Sequence, residues 1–141
     1  MTGSQFSPYA KCTILATTPI AQDQTKKHLL IVVTDPVNIP PWKIVTVPIN
    51  TFYESSDSTC ILNQGDHPFI RHKSFINYKE TRIIDIEKIR NGISKKVFSS
   101  HHDVDQEIFT QICNGFEQSN AMITLAKGIY RRSLREKISA A

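Results

Sequence analysis

A chain of 141 residues is enough for one domain with a single core that needs no covalent staples. Seventeen Lys and Arg against thirteen Asp and Glu leave a formal charge of +4, a mild excess that permits an anionic partner without naming one. Cys12, Cys60 and Cys113 are odd in number and widely spaced, which excludes a disulfide framework and a zinc-ligand set.

No run approaches the roughly 20 apolar residues of a membrane span, and the start lacks the apolar stretch of a signal peptide. A cytoplasmic protein with no membrane partner is the expectation. There is no P-loop, G-x-G-x-x-G, H-E-x-x-H or G-x-S-x-G, which argues against the nucleotide-dependent enzymes and hydrolases built on those patterns.

The first two-thirds of the chain read as strands. Residues 11–16 (KCTILA) form a short apolar run ahead of a polar loop. Residues 28–34 (HLLIVVT) are a continuous β-branched run closed by Asp35-Pro36. Residues 43–49 alternate through Val45, Val47 and Ile49, with Pro48 marking an edge or a strand end. Residues 59–62 follow, then a hairpin turn at 63–66, one or two short strands through Phe69, Ile70, Phe75, Ile76 and Tyr78, and a last β-type run at 81–86.

The final third changes period. An acidic turn at Asp103 opens a helix carrying Ile108, Phe109, Ile112, Cys113 and Phe116 on one face, which Asn114-Gly115 ends or bends. Ser119 caps a second helix with Met122, Leu125, Ala126 and Ile129 inward. Its other side holds Lys127, Arg131 and Arg135, a basic stripe that suits either a solvated helix end or phosphate contact. The whole reads as one domain, 1–141, mainly β over 11–90 with a helical segment over 103–137.

The chemistry-bearing stretch is GDHPFIRHKSFINY, residues 65–78. His67 and His72 are of the residue type that titrates near neutrality, and Arg71 and Lys73 are cations of the kind that hold phosphate. In a straight strand His67 and His72 point to opposite faces, so joint action needs a turn between them, whereas Arg71 and Lys73 share a face. The same residues also suit a solvated edge that discourages strand pairing. His101-His102 with Asp103 and Asp105 fit a loop and cap better than a metal site, and no cofactor is expected. Trp42 suits either loop anchoring or stacking on a base.

Three stretches in this order, HLLIVVTDP, IVTVPINT and SFINYKETRIIDIEKI, resemble the SH3-like barrel of the MazF/PemK (Kid) toxins over residues 12–89. The resemblance implies a small barrel followed by one or two helices, with a short helix after Arg82-Ile83-Ile84-Asp85. It also implies a dimeric, metal-independent endoribonuclease that acts on RNA and is neutralised by an antitoxin protein.

The family's corner hydroxyls fall on Asn50 and Thr51. Its usual arginine and acid fall near Asn77 and Lys79, so the chemistry is either absent or moved, and His67, Arg71 and His72 are then its candidates. Asn50, Thr51, Lys73 and Ser74, with Lys26, Lys27, Arg131 and Arg135, are the candidate RNA contacts. The rival expectation is a barrel that only binds protein or nucleic acid, as a gyrase poison or a phage accessory protein does.

Overall fold

The computed structural model describes residues 7–19, 25–119 and 124–140. Seven strands form one antiparallel sheet: β1 (Thr13–Pro19), β2 (Thr25–Val32), β3 (Lys43–Thr51), β4 (Ile61–Leu62), β5 (Ser74–Ile76), β6 (Arg82–Asp85) and β7 (Phe98–His101). Three helices accompany it, α1 (Ile86–Ser94), α2 (Gln106–Gln118) and α3 (Thr124–Ala140). The strand order is β4-β5-β3-β2-β1-β7, with β6 also on β3, so the sheet is an open path among the described residues. None of the described helices is long and apolar enough to cross a membrane.

β3 is the hub. Its residues 46–48 pair with β2 on one edge, while on the other edge residues 43–46 pair with β6 and residues 49–51 with β5. Pro48, read as the mark of an edge or an end, lies inside this central strand. Its carbonyl accepts from the Asn77 N–H at 3.0 Å. A strand residue's N–H and C=O point to the same side, so the donor that proline lacks faces the seam where β6 gives way to β5.

Alternation along the strands fills both faces of the sheet. Leu29, Ile31, Val45, Val47 and Ile49 face the larger core with Ile112 and Phe116 of α2 and Ile129 of α3. Ile14, Val32 and Ile44 face a smaller core that includes Ile86 and Ile89 of α1. Burial on both faces accounts for the unbroken apolar run HLLIVV.

Several elements differ from the sequence reading. β1 begins at Thr13 because Lys11 takes the left-handed conformation, φ 83°, which no strand residue holds. β7, sequence FSSH, carries no apolar alternation and exists through its register with β1, Thr13 opposite His101. Asn114-Gly115 lies inside α2 and does not end it. Ser119 closes α2, its N–H donating to the Gly115 carbonyl at 2.8 Å. Met122, expected on the apolar face of the second helix, lies outside the described residues.

Gly115 is required by a neighbour. Tyr78 is fully buried, and its hydroxyl donates to the Ile112 carbonyl at 2.7 Å. A Cβ on Gly115 would overlap that hydroxyl and stand 3.0 Å from Cζ. Gly115→Ala is therefore expected to cost about 1–3 kcal/mol, as overpacking does. Gly128→Ala, with nothing within 4 Å of the new methyl group, should gain about 0.5–1 kcal/mol from helix propensity. Urea unfolding of both variants checks this, and matching shifts would show that the Tyr78 contact does not constrain α2.

Candidate functional site

β1, β2, β3, the end of β7 and the turn at 68–72 meet around a groove of about 450 Å³. β3 contributes Ile49, Asn50 and Thr51, and β2 contributes Lys27 and His28. The turn brings Pro68, Phe69, Arg71 and His72, while Leu15 and His101 close the remaining side.

The turn is built locally. The Asp66 carboxylate accepts from the Asn63 N–H at 2.7 Å, and Gly65 supplies the left-handed residue, φ 101°. The Ile70 N–H then donates to the His67 carbonyl at 2.9 Å, reversing the chain just before Arg71 and His72. The Thr51 hydroxyl lies 2.9 Å from His72 Nε2, and His72 is exposed. Among the described residues no Asp or Glu lines the groove. Arg71 makes no ion pair or hydrogen bond among the described residues, so its guanidinium has no counter-charge among them.

His67 does not reach the groove. It is 3% exposed, its Nδ1 accepts from the Phe69 N–H at 3.0 Å, and its Nε2 lies 2.6 Å from the His102 carbonyl. An Nδ1 that accepts must hold a lone pair, so the proton sits on Nε2 and is donated to His102. With both nitrogens engaged, His67 ties the turn to the chain after β7 and has none left for proton transfer. The turn needed for joint action of His67 and His72 is present, but it sends His67 inward.

The other candidates divide similarly. Arg71, His72, Asn50, Thr51 and Lys27 line one groove. Lys73, expected on the face of Arg71, is turned aside by the bend at His72, and its ammonium lies 4.4 Å from the centre of the Phe52 ring. Ser74 is buried and donates to the His72 carbonyl at 2.9 Å, so it shapes the turn. Lys26 stands on β2 opposite Thr18, and its side chain lies outside the described residues. Arg131 and Arg135 do not line the groove; Arg131 pairs with Glu117 at 3.2 Å, and Lys127 donates to the Glu117 carbonyl, so two members of the basic stripe hold α3 to the end of α2.

Two groove residues had another reading in the sequence. His101 stands in the sequence beside His102 and the acids that follow, and His28 at the head of the β-branched run 28–34. Asp103 instead accepts from the Tyr9 hydroxyl at 2.9 Å, holding it up to about 12. Among the described residues no three His, Cys, Asp or Glu side chains are placed to hold a metal ion. Trp42 lies apart, half-exposed beside Pro36, Pro41 and Ile86. Burial pushes the Cys12 and Cys60 thiols up to about 11, so neither is a nucleophile at neutral pH.

The chain matches no protein-family model and no curated protein sequence, so the groove is read from its own residues.

His101 packs against both neighbouring imidazoles, 5.2 Å from the His67 ring and 5.2 Å from the His102 ring. Burial, then the proximity of His67 and His102, lowers its pKa below the ordinary 6.5. Between that lowered value and 6.5 the unfolded chain binds the proton and the folded chain does not. Its contribution to stability is therefore full above pH 6.5 and is lost as pH falls through the folded value. Urea unfolding at about pH 5.5 and 7.5 should show this drop, reduced in His101→Phe. Equal pH dependence in the two proteins would remove His101 as its source.

Proposed function

We propose that the groove holds single-stranded RNA and that the protein is a metal-independent endoribonuclease of the MazF/PemK type. The observation that carries this reading is Arg71, a cation that shares an open groove with the Thr51–His72 pair and meets no carboxylate among the described residues. A hub strand with partners on both edges, β6 and β5 on one and β2 on the other, is compatible with the SH3-like barrel of that family. A second copy of the chain and an antitoxin protein belong to the same reading as partners.

The chemistry divides among these groups. Thr51 orients the His72 ring through Nε2, and the ring takes the proton of a ribose 2′-OH. The 2′-oxygen bonds to its own phosphorus as the bond from phosphorus to the 5′-oxygen breaks. A 2′,3′-cyclic phosphate and a free 5′-OH result. Arg71, with Lys27 in the same lining, meets the charge that develops on the phosphoryl oxygens. His28, on the β2 side, is the candidate for returning a proton to the leaving oxygen.

The rival, a barrel that binds without cutting, is favoured by the family's arginine and acid positions. They fall near Asn77 and Lys79, neither of which lines the groove. Incubation with mixed-sequence RNA in EDTA separates the two. The wild type should yield discrete fragments with cyclic phosphate ends, and His72→Ala should slow cleavage by about 10²–10⁴-fold. Its unfolding midpoint should hold, because the ring is exposed. RNA that stays intact with the wild type yet is retained on a filter by it would replace catalysis with binding.

A further inference from the structure

We infer that His67 is a positioning residue whose single ring proton keeps the turn at 68–72 closed on the groove, so that acid opens the site. The opening stands on the geometry around His67, and its effect on a ligand rests on the RNA reading of the groove. Neither partner of the buried ring can change roles. Nδ1 accepts from the Phe69 backbone N–H at 3.0 Å, a group that only donates. Nε2 lies 2.6 Å from the His102 carbonyl, which only accepts. One protonation state satisfies both.

A second proton has to enter at Nδ1, where it faces the Phe69 N–H, donor against donor. Either the ring or the Phe69 backbone must then move. Phe69 stands just ahead of Arg71 and His72, so a shift of its N–H displaces the chain that carries both into the groove. No ion pair offsets the new charge: His67 is 3% exposed and forms none among the described residues.

The titratable groups that face it after β7 are imidazoles, which acid turns positive. His101 has its ring centre 5.2 Å away and His102 6.5 Å away. On its own turn, the Asp66 carboxylate is held by the Asn63 N–H. Lys27 and His28 of β2 share the groove with His101, and neither is an acid. The response is thus opposite to that of an ordinary basic groove, where falling pH charges the histidines and tightens the hold on an anion. Here the same change releases the turn that brings Arg71 and His72.

Amide NMR between about pH 7.5 and 5.5, across the histidine range, reads the turn directly. In the wild type the Phe69 and Ile70 resonances should shift or broaden together as pH falls, while those of α2 hold. His67→Gln supplies an amide that can donate to His102 and accept from Phe69 without taking up a proton, so the transition should be absent. Fluorescence anisotropy with a mixed-sequence 2′-O-methyl oligonucleotide, which cannot be cleaved through the blocked 2′ position, reads the consequence. Wild-type affinity should fall about threefold if about a third of the turns stay closed at the acid end. His67→Gln should instead bind more tightly in acid. Should His67→Gln fail to fold, His101→Phe decides: the transition should persist in it, and its loss assigns the proton to His101 and overturns the inference. Wild-type resonances that do not move, a transition retained in folded His67→Gln, or wild-type affinity that rises in acid also overturns it, while RNA binding stands. Failure of both proteins to bind the oligonucleotide removes the RNA reading, and the resonances alone then decide whether acid opens the turn.

Discussion

The division of β3 between three partners is the constraint on which the rest of the molecule depends. One strand fixes the register of β2 on one edge and of both β5 and β6 on the other. A slip of one residue would exchange the two cores, moving Val45, Val47 and Ile49 to the face that Ile44 occupies. It would also carry Asn50 and Thr51 away from the turn that holds His72. The groove is therefore set by the same pairing that sets the core, and Pro48 tolerates its place because the seam asks nothing of its nitrogen.

Around the groove, imidazoles do different work according to where their nitrogens are spent. His67 uses both on backbone groups and becomes a strut. His101 uses one and keeps a donor, and His72 keeps its Nε2 on a hydroxyl at the solvent face. The residue type is common to all three, and the backbone geometry around each decides its chemistry. Among the described residues no acidic side chain joins the lining, so none of them neutralises Arg71 there.

Much of this was legible in the sequence, and the failures have physical causes. The β-branched runs announced β2 and β3, and the helical spacing of Ile108, Ile112 and Phe116 announced α2, because burial writes itself into periodicity. β7 left no such trace: four polar or half-buried residues become a strand only when β1 is there to pair with them. Arg71, His72 and Thr51 could be named together as charge and hydroxyl carriers near one corner. The inward turn of His67 could not, since it depends on the His102 carbonyl, far along the chain. The basic stripe of α3 was visible, but its tie to Glu117 required knowing how α2 and α3 lie together.

The pairing of β1 with β7 bears on how the protein is made. β1 leaves the ribosome well before β7, and Thr13 waits for His101 while β2 to β6 and α1 are synthesised. Contacts so distant in sequence form late, after the local turns and the β1–β2 pairing. A nascent chain thus carries Arg71 and His72 before it has the wall that completes their groove. The groove stays one wall short until β7 has been synthesised and has found β1.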